Sequence, residues 1–131
     1  MLGFTTTDEA RKLSDEEVLA RSVAEPWLYA VILERYQDAF LRRAKRILFS
    51  ELDAEDVVQE TFTKIYVNAS KFQVREGAKF SSWAYTILTN TSLTRYAKNA
   101  REGKATSPLD PEFEQSFADL SESAEDRENR D

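Results

Sequence analysis

Between residues 28 and 47 apolar side chains return every three or four positions, at Leu28, Ile32, Tyr36, Phe40, Ala44 and Ile47. On a helix these form one stripe, while Arg35, Asp38, Arg42, Lys45 and Arg46 lie away from it. Pro26 suits the first turn of such a helix, because the N–H it lacks would find no partner there. Three further helices follow from similar signals. Ser14, three residues before Glu17, makes a capping box that opens a short amphipathic helix reaching about Ala24. Ala54, Val58, Thr61, Phe62, Ile65 and Ala69 stripe a helix that starts near Asp53 and stops before Lys71, with the Asp53 carboxylate expected to cap the N–H of Glu55 or Asp56. The last helix spans about residues 81–100, with Trp83, Ile87 and Leu88 inward and Arg95, Lys98 and Arg101 toward its end.

Residues 71–82, "KFQVREGAKFSS", break the periodicity with Gly77 and four charges and read as a loop. Three glycines, three prolines and few β-branched runs in 131 residues complete an all-α expectation: a compact bundle of about four helices. Residues 105–131 differ. They hold two prolines, many acids and serines, and only two phenylalanines and two leucines as apolar anchors, the composition of a flexible acidic tail or linker. The expected division is a helical domain over residues 1–104 and a linker or tail over residues 105–131.

Composition narrows the chemistry. The chain has no Cys and no His, which removes disulfides, thiolate nucleophiles, His-based metal sites and the common Ser/His and Cys/His pairs, so neither a catalytic residue nor a metal or other cofactor is expected. Carboxylate catalysis is the remaining enzymatic route, and the acids sit on an amphipathic helix with nothing in the sequence to separate their pKa values. The longest apolar run, "WLYAVIL", is far shorter than the ~20 residues a membrane helix needs, and the N-terminus lacks a signal-peptide pattern. A cytoplasmic protein without membrane insertion is expected.

The net charge of -6 would disfavour nucleic acid if it were evenly spread. Residues 105–131 carry two Arg against nine acids, whereas residues 1–104 carry sixteen Lys/Arg against fifteen acids, so the acidity belongs to the tail. Residues 71–104 have seven bases and two acids; residues 51–60 have five acids and no base. Two oppositely charged surfaces are therefore expected. On the acidic one, Asp53, Asp56 and Glu60 share a helix face, with Glu55 and Gln59 in the adjoining row. Either these acids simply complement the positive end of the helix dipole, or they meet a basic partner. On the other, "KFQVREGAKFSSW" and the helix after it interleave aromatic, amide and basic groups, a mixture suited to single-stranded nucleic acid. Here too a plainer reading stands beside it: Phe72, Phe80 and Trp83 close the core beneath a solvated basic rim.

The motifs "DAEDVVQETF", "NASKF" and "GAKFSSWAYTILTN" resemble, in order and spacing, region 2 of bacterial RNA polymerase sigma factors of the extracytoplasmic-function class, over about residues 14–101. The resemblance implies that Asp53, Asp56, Gln59 and Glu60 bind the core polymerase at the clamp helices of its β′ subunit. It implies a loop that receives a base flipped from the non-template strand of the minus-ten promoter element, with Phe72, Arg75, Lys79, Phe80 and Ser82 around the pocket. Tyr85, Asn90, Arg95 and Lys98 would then lie along the strand. Thr86 and Ala84 depart from the family pattern of an arginine and an aliphatic residue. Nothing after Arg101 resembles the domain that reads the minus-thirty-five element, so a fragment of a longer protein is expected. The family adds an anti-sigma factor as a further partner, and the tail is expected to shield the basic surface weakly. The alternative is a helical interaction module that mimics a sigma factor and regulates polymerase without opening DNA.

Overall fold

Six α-helices and three short 3-10 turns account for most of residues 5–72 and 79–130, the residues described by the computed structural model, with the side chains of the last helix described as far as residue 123. No strand occurs among them. Helices α1 (Thr7–Lys12) and α2 (Asp15–Ser22) lead through a turn at Pro26–Leu28 into α3 (Tyr29–Leu48), then α4 (Glu51–Val67), α5 (Phe80–Arg101) and α6 (Glu114–Arg130). The all-α bundle expected from periodicity is the observed architecture.

Helices α3, α4 and α5 pack on one another and hold the core. Leu28, Ile32, Phe40, Ala44 and Ile47 are fully buried, as are Ala54, Val57 and Ile65 of α4 and Phe80, Ala84, Leu88 and Leu93 of α5. Each large side chain so buried is worth about 1.5–3 kcal/mol, which is why this three-helix contact dominates. Phe40 is the hub: its ring stacks on Phe62 at 5.1 Å and meets Tyr85 edge-on at 5.1 Å. Tyr36, at 5.3 Å from Phe40, is only half-buried because its hydroxyl reaches Asp15. Burial, with help from that carboxylate, pushes the Tyr36 phenol above its ordinary range.

The N-terminal helices are held by charge. Arg35 donates to Asp15 at 2.9 Å and to the carbonyls of Ala10, Arg11 and Leu13 at 3.3, 3.3 and 3.0 Å, filling the acceptors that the end of α1 leaves open. Ser14 caps α2 in a capping box with Glu17, as its spacing predicts. Glu16 in turn accepts the Phe80 N–H at 2.9 Å, capping α5 from a different helix because the residue at its own N-cap, Lys79, makes no such bond.

Three readings of the sequence need correction. Helix α4 begins at Glu51, not near Asp53: Ser50 is the cap and accepts the Asp53 N–H at 3.2 Å, leaving the Asp53 carboxylate for another partner. Phe80, assigned to the loop, opens α5. The stretch read as unstructured linker carries a 3-10 turn at Pro111–Phe113 and helix α6. Phe113 is 3% exposed, and Leu109, Phe117 and Leu120 are partly buried against the same core. All four apolar anchors of the tail pack against that core.

Candidate functional site

The exposed side of α4 divides between two neighbours. Toward α3, Leu33, Leu41, Val58 and Phe62 floor an open groove of about 650 Å³, with Gln37, Glu55 and Gln59 among the polar residues lining it and Tyr29 and Tyr66 also in its wall. The two tyrosine rings lie 4.9 Å apart, and the Tyr29 hydroxyl donates to the Phe62 carbonyl at 2.5 Å, so this wall is rigidly built. Burial pushes the Tyr29 phenol above its ordinary range, with Tyr66 adding to the effect.

Toward α5 the geometry is electrostatic. Arg95 donates to Asp56 at 2.7 Å and to Asp53 at 3.4 Å, and Asn99 donates to the second Asp53 oxygen at 3.0 Å. Hydrogen bonding to Asp56, reinforced by both acids and Glu60, holds the Arg95 guanidinium further above its ordinary range. Lys64 reaches Thr91 at 3.0 Å and Glu60 at 3.7 Å. Asp53, Asp56 and Glu60 therefore lie along the α4–α5 seam beside Arg95, while Gln59 alone of the four sequence-predicted α4 residues lines the α3–α4 groove. Lys98 lines a shallow depression on that seam with Glu60 and Arg95.

Arg95 thus has an intrachain task. Arg95→Ala is expected to lower stability by about 1–2 kcal/mol, since it removes two charge-assisted contacts of partial exposure and leaves two neighbouring carboxylates facing each other. Urea unfolding followed by circular dichroism checks this; an unchanged midpoint would mean the pairs contribute nothing.

The remaining α5 residues point elsewhere. At 100° per residue, Ser82, Tyr85 and Asn90 fall on a different side of the helix from Arg95 and Lys98. Ser82 and Asn90 are exposed, and Tyr85 is half-buried with its ring against Phe40 and Tyr36 and the Arg43 guanidinium 4.6 Å above it. Phe80 is fully buried and lies 6.3 Å from Phe72 and 6.0 Å from Trp83, so it supports the start of α5 from beneath while the partly buried Phe72 and Trp83 form the outer layer. Lys79 is exposed. Arg75 lies outside the described residues.

Sequence reasoning left out two groups. Leu33, Gln37 and Leu41 share the groove with Gln59, and Arg43 shares a cleft with Tyr85 and Asn90. The first was legible as spacing by four along α3, a second stripe beside the core seam; the second depends on how α3 crosses α5, which no local pattern encodes. No helix among the described residues is long and apolar enough to cross a membrane.

Residues 32–102 match the family described as Sigma-70 region 2. Over 70 residues the chain is 37% identical to the ECF RNA polymerase sigma factor SigW of Bacillus subtilis (strain 168), a stretch covering 53% of this chain and 36% of that protein. The chain thus spans little more than a third of the length of this curated relative.

Proposed function

The chain belongs to the Sigma-70 region 2 family, and from that premise we propose that it binds core RNA polymerase and recognises the minus-ten promoter element, holding bases of the non-template single strand and so helping to melt it. The observation that carries this reading is the separation of two surfaces on one rigid core. Leu33, Gln37 and Leu41 run down one side of α3 in the α3–α4 groove, whereas Arg43 lies well round the same helix, beside Tyr85 and Asn90. A domain so built can hold a protein helix on one side and a nucleic-acid strand on the other at the same time.

The division of labour follows. The groove offers an apolar floor with Glu55 and Gln59 on α4, the arrangement by which a helix with apolar and basic positions docks, and the β′ clamp helices are the partner that the family resemblance supplies. The exposed face of α5 offers hydroxyl and amide groups at Ser82 and Asn90 over a packed aromatic layer, chemistry for hydrogen-bonding the edge of an unstacked base. Lys79, exposed just before α5, is the proposed phosphate contact beside them, whereas Lys98 faces the α4–α5 seam. An anti-sigma factor competing for the groove would silence the domain without touching its DNA face.

The test uses single-base-substituted oligonucleotides and fluorescence anisotropy. Single-stranded DNA is expected to bind more tightly than duplex of the same sequence, because the duplex must first give up stacking and pairing worth a few kcal/mol per flipped base. Ser82→Ala and Asn90→Ala are each expected to reduce discrimination at one position by about 1–3 kcal/mol while leaving the salt dependence nearly unchanged. If both variants rank the substituted oligonucleotides as the parent does, neither residue reads a base. A module that only occupies polymerase would show no preference for single strands at all.

A further inference from the structure

The acidic turn at residues 110–113 sits on the same side of the bundle as Tyr85 and Asn90. Arg46 donates to Glu112 in a very short contact and to Asp110 at 3.3 Å, so two carboxylates share one guanidinium on α3. A ring of the same turn joins them: Phe113 lies 5.3 Å from the Arg46 guanidinium and 5.9 Å from that of Arg43, and is 3% exposed. Arg43 at the same time covers Tyr85 at 4.6 Å. The cleft that Arg43, Tyr85 and Asn90 line, about 280 Å³, is lined also by Glu112, Phe113 and Ser116.

We infer that Arg43, Arg46 and Tyr85 together form a subsite for one nucleotide of single-stranded DNA, and that the Asp110–Phe113 turn covers it from within the same chain. Anionic oxygens on a guanidinium with a flat ring stacked beside the arginines is how a phosphate and its base would be held at this place. The inference rests on the proposal that α5 binds single-stranded DNA, and it adds two arginines of α3 to that surface and a competitor to its regulation. The covering segment is anchored as well as charged: the Tyr96 hydroxyl donates to the Ser107 carbonyl at 3.1 Å, and the Tyr96 and Phe117 rings meet edge-on at 6.1 Å. The rest of the tail can therefore stay docked while the turn yields. Covering the subsite scales the apparent affinity of the free domain by the fraction of time the turn is away, and only a strand bound elsewhere on α5 as well displaces it efficiently.

The experiment measures anisotropy of a short fluorescent single-stranded oligonucleotide of randomised sequence with the full chain. Glu112→Gln combined with Phe113→Ala is expected to bind it roughly three- to tenfold more tightly than the parent, most clearly at low salt. Adding Arg43→Ala and Arg46→Ala to that variant is expected to abolish the gain and to reduce the salt dependence by about one unit per arginine that meets a phosphate. In the parent, hydrogen exchange of the Phe113 amide, which is bonded to the Asp110 carbonyl at 2.9 Å, is expected to quicken when the oligonucleotide is added. Should the double variant bind no more tightly while the parent keeps its preference for single strands, the subsite is overturned and the proposed function stands. Slower exchange at Phe113 on saturation with DNA also overturns it. If parent and variants alike fail to bind single strands, the DNA-binding reading itself falls and this inference falls with it.

Discussion

Phe40→Ala is expected to lower the free energy of unfolding by about 3–5 kcal/mol, the usual cost of removing a fully buried aromatic ring and leaving a cavity. Phe40 is 0% exposed and has three ring neighbours on three helices: Tyr36 on α3 itself, Phe62 on α4 and Tyr85 on α5. No single shift of one helix fills the void, because each of these rings is held by something else as well. The Tyr36 hydroxyl is bonded to Asp15, the Phe62 carbonyl accepts from Tyr29, and Tyr85 lies under Arg43. The cavity should therefore persist and the loss should fall at the upper end of the range. Small domains are stable by about 5–15 kcal/mol, so a loss of this size unfolds an appreciable part of the population on modest warming. Urea unfolding at fixed temperature checks it, and a loss under about 1 kcal/mol would show that the three helices do not pivot on this ring. A second consequence separates this variant from Asn90→Ala. Removing Phe40 frees Tyr85 on the proposed DNA side and Phe62 beneath the groove, so binding on both surfaces should weaken together.

The periodic stripes made α3, α4 and α5 legible because their burial is one-sided and their length gives the pattern several turns to repeat. Helix α1 escaped notice since only Ala10 in it is buried, yet Thr6 and Glu9 form the same kind of capping box that identified α2. Ser50 followed by Asp53 carries a related signal and is the true start of α4. The tail shows a different failure. Leu109, Phe113, Phe117 and Leu120 recur at intervals of four, four and three, a helical stripe in plain view, but acidic composition outweighed it. Composition set the acidic tail against the basic stretch 71–104; among the described residues its ion pairs run instead to Arg46 on α3. Arg95 was beyond any local pattern. Its partners lie 42 and 39 residues away, so whether this base faces solvent, a phosphate or its own acids depends on how α4 crosses α5. The motifs marked two stretches of chain; the crossing of the helices decides which of their residues share a surface.

That crossing also decides where polymerase binding is best broken. Glu55→Arg with Gln59→Arg is expected to weaken binding to core RNA polymerase by several kcal/mol, a loss of a hundredfold or more in Kd, while leaving the fold intact. Both residues line the α3–α4 groove, and among the described residues Glu55 is in no ion pair, so its reversal disturbs no internal contact. Two arginines there would face a basic partner helix with like charge and would hold their own hydration over the apolar floor of Leu33, Val58 and Phe62. Asp56→Arg with Glu60→Arg should also weaken the complex, through a mixture of causes: Asp56 is the partner of Arg95, and its reversal sets two guanidiniums against each other on the α4–α5 seam. Stability measurements tell the two apart. The Glu55 and Gln59 variant should unfold at the parent's urea midpoint, and the Asp56 and Glu60 variant below it. Titration of labelled domain with core enzyme supplies the affinities. If the Glu55 and Gln59 variant binds as tightly as the parent, the groove is not the polymerase surface; if only the Asp56 and Glu60 variant loses affinity, the partner instead approaches along the seam where Arg95 lies.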